Sequence, residues 1–160
     1  MNLEMVKIKP GTFMMGSSDG ELGRSLNRDE KQHRVTLTKD YWLGKYEVTQ
    51  GQWKAVMGNN PTLYFKKGDN YPVANVSWAD AKNFCDKLNE RYACKLPQGY
   101  RFDLPTEAQW EYACRAGTTT ALNNGMNLSD ERYCENLIVL DMDNIISFDS
   151  FFSSDRKIRN

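Results

Sequence analysis

Three short amphipathic segments, each headed by a Ser or Thr where a helix must cover its first free N–H groups, constrain this chain more than any other feature. Helices of two to four turns do not stand on intrinsic propensity; they form when their ends are capped and one face is buried. Thr49 is placed to cap a helix through Gln50, Gln52, Trp53, Val56 and Met57, which Gly58 stops before Asn59-Asn60-Pro61. Trp53, Val56 and Met57 make its inward face. Ser77 opens a second helix, with Asp80 three residues on to complete a capping-box-like pair. Ala81, Phe84, Cys85 and Leu88 then follow at helical spacing, leaving Lys82, Asp86, Lys87 and Glu90 in water. Leu104-Pro105-Thr106 opens the third, where Thr106 and Gln109 form the box, Glu107 complements the positive end of the dipole and Arg115 the negative end. Trp110, Ala113 and Cys114 supply its apolar stripe, and Gly117 sits where a left-handed C-cap belongs.

Between these segments lie short β-rich runs. Residues 5–8 and 12–15, joined through Pro10-Gly11, read as a hairpin, and the polar stretch 18–32 as an exposed, mobile surface loop. Residues 35–38 alternate, and 41–48 form a second β-rich run, so two antiparallel strands are expected there. Residues 71–76 make an extended approach to the second helix. After Gly117 the chain is turn-rich, and the apolar but aperiodic stretch 138–152 supports no element. Short strands interleaved with short capped helices and heavy aromatic use imply one irregular α+β domain over residues 1–160, without internal repeats.

Lys plus Arg and Asp plus Glu are 21 each, so no net field draws nucleic acid or an anionic membrane surface. No run approaches the roughly 18 apolar residues that span a bilayer, and the start lacks a basic segment followed by an apolar one. A soluble, cytoplasmic chain is the expectation. The 4 cysteines, Cys85, Cys94, Cys114 and Cys134, form no Cys-x-x-Cys pair, which leaves zinc and thioredoxin-like readings without support. Cys85 and Cys114 fall on apolar helix faces, where a free thiol acts as a small core hydrophobe more readily than as a redox group.

The run 5–17 (MVKIKPGTFMMGS), then His33-Arg34-Val35-Thr36-Leu37 and Tyr46-Glu47-Val48-Thr49, resembles the opening of the formylglycine-generating-enzyme, or sulfatase-modifying-factor, family. Residues 71–81 resemble its Pro-Val-x-x-Val-Ser-Trp-x-Asp-Ala segment, and 104–113 are similar to Leu-Pro-Thr-Glu-Ala-Glu-Trp-Glu-Tyr-Ala. The resemblance covers residues 5–137 and leaves 138–160 as a divergent tail. It implies an irregular, loop-rich C-type-lectin-like fold of the sulfatase-modifying-factor type, C-terminally incomplete here.

The same resemblance implies an oxidase that converts a substrate cysteine to formylglycine with molecular oxygen and copper held by two cysteines of the C-terminal half. Copper(I) needs such a pair of soft thiolates. The family's Gly-Asn-x-x-Glu-Trp and Arg-Gly-Gly-Ser-Trp segments have no counterpart in this sequence, and Cys134 comes too early to match either cysteine. No catalytic residue is therefore carried over, and the chain is expected to be incompetent as an oxidase by itself. Glu107 and Glu111 read as a dipole partner and a structural acceptor rather than an acid/base pair, and His33 as a structural hydrogen-bonding residue. Tyr133-Cys134-Glu135-Asn136-Leu137 is similar to a family segment that binds calcium through an Asn side chain and the next carbonyl. Asn136 and Leu137 are thus candidate calcium ligands, with Asp141 or Asp143 to complete the shell, beside the alternative of an ordinary loop.

Three functions compete. A fragment of the oxidase would be inactive alone, with a sulfatase or another protein as partner and with exposed apolar surface favouring self-association. A non-enzymatic C-type-lectin-like binding module would use the same scaffold to display ligand-binding loops. An iron-dependent relative would need a His-rich domain, for which 1 histidine offers no ligand set.

Overall fold

The computed structural model describes residues 2–21, 30–63 and 65–121. Along the chain run β1 (Met5–Ile8), β2 (Gly11–Met15), β3 (His33–Leu37), β4 (Tyr41–Gly44), α1 (Gln50–Met57), α2 (Trp78–Tyr92), a short 3-10 turn (Ala93–Lys95) and α3 (Glu107–Arg115). The described residues fall into two units, one of 2–6, 44–63 and 65–104, the other of 7–21, 30–43 and 105–121.

All three helices begin on complete capping boxes. Thr49, Ser77 and Thr106 each accept the N–H of the third helical residue, and Gln52, Asp80 and Gln109 each reach back to the cap's own N–H. The Ser77 hydroxyl and N–H hold the Asp80 carboxyl below the usual carboxylate range. At the other ends, Gly58 closes α1 at φ 83. In α3 the left-handed cap is Ala116, at φ 46, with Gly117 following at φ 90, so the cap comes one residue earlier than the glycine predicted. The helix runs its full course to Arg115, and the next residue must turn whatever its identity; glycine then completes the reversal at no steric cost.

The strands pair differently from expectation. β1 does not fold back on β2, nor β3 on β4; β1 pairs with β4, and β2 pairs with β3. The connection between β1 and β2 is Lys9-Pro10, and the tight primed turns of a two-residue hairpin need left-handed backbone that proline cannot adopt. The β3–β4 link, Thr38-Lys39-Asp40, has no glycine for the bulge a three-residue hairpin uses. β2 and β3 are antiparallel, with Phe13 opposite Val35 and Thr12 opposite Thr36, whose hydroxyls lie 2.9 Å apart. The Ser17 N–H donates to the Glu30 carbonyl at 2.8 Å and brings together the two ends of the stretch expected to loop out; residues 22–29 lie outside the described residues.

In the first unit the core is Trp53 and Val56 of α1 against Phe84 and Leu88 of α2, each at most 5% exposed. The Trp53 and Phe84 rings stack 5.1 Å apart and nearly parallel. Each of these side chains contributes about 1.5–3 kcal/mol by leaving water. Leu3, Val48, Met57, Val73, Val76, Tyr92 and Phe102 pack around them. Asn89 clips the extended segment around Phe102 to α2: its amide donates to the Phe102 carbonyl at 2.8 Å and accepts the Phe102 N–H at 2.7 Å. The second unit packs α3 on the β2–β3 ribbon, where Phe13 meets Tyr112 with ring centres 5.2 Å apart.

Candidate functional site

In the second unit a polar clasp is built on Gly16, which ends β2 at φ 93. Its N–H donates to Glu111 Oε1 at 2.9 Å, and Arg115 Nε donates to the same oxygen at 2.8 Å. Arg115 then reaches the Gly16 carbonyl at 3.0 Å, so one ion pair on α3 satisfies both backbone groups of a turn glycine. A Cβ at Gly16 would meet the Glu30 carbonyl oxygen at 2.6 Å, which fixes glycine there. Glu111 is the structural acceptor that the sequence implied, one of its carboxylate oxygens taking both the Gly16 N–H and the Arg115 Nε–H. Beside the clasp lies a shallow cavity of about 210 Å³ lined by Lys7, Ile8, Lys9, Tyr112, Ala113, Ala116 and Gly117. Lys7 pairs with Asp40 at 2.6 Å.

The first unit holds a different arrangement. Gln50 is 1% exposed, and its amide uses every hydrogen-bonding position it has. Nε2 donates to the Lys66 carbonyl at 2.7 Å and the Pro72 carbonyl at 3.1 Å. Oε1 accepts from Asn60 Nδ2 at 2.9 Å and from the Gly68 N–H at 3.3 Å. Its backbone N–H donates to the Tyr71 carbonyl at 2.8 Å, and the Gly51 N–H to Asp69 at 3.1 Å. A Cβ at Gly51 would come within 2.8 Å of Asp69 Cβ, so the loop lies directly on the start of α1. Thr62, 2% exposed, exchanges hydrogen bonds with Ala74, accepting its N–H at 3.0 Å. Asn75, left-handed at φ 60, accepts the Leu63 N–H at 3.0 Å.

The three described cysteines are free: Cys85 buried, Cys94 exposed, Cys114 half-buried. Burial pushes the Cys85 thiol up to about 11, with Asp103 adding to the effect, and burial together with Glu111 raises Cys114. A copper(I) centre of the kind the resemblance implies requires two thiolates brought together. Cys85 and Cys94 do not make such a pair: they sit on α2 and on the 3-10 turn that follows it, roughly 13 Å apart along the helix axis, too far to share one metal ion. No group of three or more His, Cys, Asp or Glu side chains able to hold a metal occurs among the described residues. Cys134 lies outside the described residues, as do the candidate calcium ligands Asn136 and Leu137 with Asp141 and Asp143. His33 is exposed at the head of β3, its Nδ1 2.9 Å from the Lys31 carbonyl.

Gln50 and Thr62 were not singled out in the sequence, because a lone Gln or Thr reads as surface. One signal was available: Gln50 follows an N-cap directly, a position whose side chain falls beside the loop that returns through Pro72 to the second helix.

Short box-capped helices joined by long, internally hydrogen-bonded loops, with two-stranded ribbons in place of a broad sheet, define an irregular, loop-rich α+β domain. The chain belongs to the family of the sulfatase-modifying factor enzyme 1-like domain, whose model matches residues 1–141. It is 37% identical to the chaperone protein LppX of Paenibacillus barcinonensis over 61% of this chain and 44% of that protein. It is 31% identical to the formylglycine-generating enzyme of Mus musculus, over 56% of this chain and 20% of the relative. Among solved structures it is similar to PvdO from Pseudomonas aeruginosa, with a TM-score of 0.65, 27% identity and coverage of 79% of this chain and 52% of that one. The chain therefore spans less than half the length of the two curated relatives and about half that of PvdO. The C-type-lectin-like fold of the sulfatase-modifying-factor type is the one its motifs implied. Among the described residues no helix is long and apolar enough to cross a membrane.

Proposed function

We propose that this chain acts as a scaffold and binding part of a sulfatase-modifying-factor-type domain and does not by itself carry out copper-dependent oxidation of cysteine to formylglycine. The state of the described thiols supports this reading. Cys85 is a packing residue of α2, its proton held by burial up to about 11, and Cys94 is exposed on the 3-10 turn. A thiol packed into the core is inert as a nucleophile and offers copper(I) no open approach. Titration of the full chain with copper(I) against a competing chromophoric chelator, followed by aerobic incubation with a cysteine-containing peptide, tests it. The expected result is that the chelator keeps the metal and the peptide gains no aldehyde; tight stoichiometric copper uptake with aldehyde formation would overturn the proposal.

A second reading, a non-enzymatic module of C-type-lectin-like fold that displays binding loops, is favoured by the loop fixed on Gln50, since a pre-shaped loop loses little freedom on binding. The partner class in either case is a protein, a sulfatase among the candidates. Calcium at Asn136 and Leu137 belongs to the same proposal; calorimetric titration of the full chain checks it, and no heat at millimolar calcium rejects it.

A further inference from the structure

The loop from Asn60 to Pro72 is built inside out. Gln50 and Thr62 are the two buried polar side chains among the described residues, and both bind this loop or its return. Its apolar side chains, by contrast, face water: Leu63 is 61% exposed, Phe65 38% and Tyr71 45%. Ordinary folding would exchange the two sets, placing Leu and Phe against the core and leaving the amide in solvent. Single exposed apolar residues are common, but three within nine residues on a loop locked from beneath are a feature of contact surfaces. The lock also removes the usual cost of using a loop for recognition, because the backbone at residues 66, 68, 71 and 72 and the side chain of Asn60 are already tied to the Gln50 side chain or its backbone N–H.

Charge selects the occupant. Lys66 and Lys67 directly follow Phe65, both are exposed, and neither ammonium has an ion-pair partner among the described residues. Asp69 is the only acid between Asn60 and Pro72, so the loop's tip is net positive. An apolar anchor beside two uncompensated ammonium groups is complementary to a segment that carries its own apolar anchor next to carboxylates.

We propose that residues 63 and 65–71 form a pre-shaped docking surface for an acidic segment of a partner protein that carries an apolar anchor, in which Leu63 and Phe65 meet the anchor and Lys66 and Lys67 meet the carboxylates. The surface does not depend on how the chain handles copper.

The full chain, immobilised, is used to select a phage-displayed library of random peptides, with counter-selection on the Leu63→Ser/Phe65→Ser/Lys66→Glu/Lys67→Glu variant. The expected result is enrichment of peptides combining Asp or Glu with Leu, Phe or Trp. A synthetic version of the strongest should lose about tenfold in affinity for the Lys66→Glu/Lys67→Glu chain and bind more weakly as salt is raised. Circular dichroism and unfolding of the variants, compared with wild type, separate lost contact from lost fold, since all four positions are exposed or nearly so. Enrichment of neutral or basic peptides, or of peptides that bind wild type and variant alike, overturns the proposal. So does sedimentation of the wild-type chain, but not the variant, with phosphatidylserine vesicles when no acidic peptide is enriched, which would make the loop a membrane contact. Loop-dependent dimerisation without peptide binding would overturn it in favour of a second copy as the occupant.

Discussion

Gln50→Glu is the sharpest perturbation of the first unit, because it keeps the shape of the side chain and inverts half of its hydrogen bonding. The amide donates at 2.7 Å and 3.1 Å to two carbonyl oxygens and accepts at 2.9 Å and 3.3 Å from two N–H groups. A carboxylate keeps the two acceptances but turns both donations into contacts between oxygen atoms. Each lost donation costs about 1 kcal/mol net, and leaving a carboxylate at a site 1% exposed adds more, so about 3–5 kcal/mol is expected at neutral pH. Against a total stability of about 5–15 kcal/mol that is a large shift. The sign of its pH dependence follows from burial, which raises the folded-state value of the introduced acid above its unfolded value of about 4.3. The full penalty then stands above the folded value and is relieved as the pH falls towards the unfolded one, where the protonated acid again donates. Gln50→Ala removes all four bonds and leaves a small void, costing about 2–4 kcal/mol with no such pH dependence. Urea unfolding of the full chain, followed by tryptophan fluorescence at neutral pH and near about pH 5, measures both gaps. A Gln50→Glu cost below about 1 kcal/mol, or one that does not shrink on acidification, would refute the claim that this amide shapes the loop.

Three further outcomes are expected. Burial raises the Glu47 carboxyl above its ordinary value, so its ionised form opposes folding; Glu47→Gln should raise the thermal midpoint at neutral pH, with the gain fading as the pH falls through the folded value to the unfolded one, as circular dichroism melts will record. Gly11→Ala should cost about 1–3 kcal/mol by overpacking, since the new Cβ overlaps the Tyr112 hydroxyl and sits 3.0 Å from its Cζ; chemical denaturation should show Tyr112→Phe recovering part of that loss in the double variant. Of the three described thiols, iodoacetamide at mildly alkaline pH should modify Cys94 first, Cys114 more slowly and Cys85 only on unfolding, as peptide mass spectrometry will show.

What could be read in advance follows from how local each determinant is. The helix starts were legible because a capping box is complete within four residues, and Trp53, Val56, Phe84, Cys85 and Leu88 fell on the buried faces that helical spacing placed them on. Strand partners were not, because pairing is decided between segments; only the negative information in Lys9-Pro10, a linker unfit for a tight hairpin, was local. The cap of α3 was misplaced by one residue because Gly117 drew the assignment, whereas Ala116 carries the left-handed turn. Tyr112 was read only as part of a motif, yet it is the residue that packs on Phe13 and holds position 11 to glycine. The loop clamp was invisible for a different reason: a fully satisfied buried Gln and a surface Gln are the same letter, and five partners spread over residues 60–72 leave no periodic trace.

The residues that make the family recognisable are, in this fold, the residues that start its helices. In Val76-Ser77-Trp78-Ala79-Asp80 the Ser and Asp are the two halves of a capping box, and in Leu104-Pro105-Thr106-Glu107-Ala108-Gln109 the Thr and Gln are. The Glu and Arg that follow, Glu111 and Arg115, bind the backbone of Gly16 in the earlier Met15-Gly16-Ser17 motif. Helices of 8, 15 and 9 residues need those caps to form, so selection for the fold alone keeps the same letters in place. Membership of the family therefore transmits architecture without transmitting chemistry. Two relatives can share every one of these words and differ in activity, because the thiolates that oxidation needs are not among them. The part of this chain free to carry specificity is instead the one no motif describes in full, the loop that Gln50 holds still while its apolar and cationic side chains face outward.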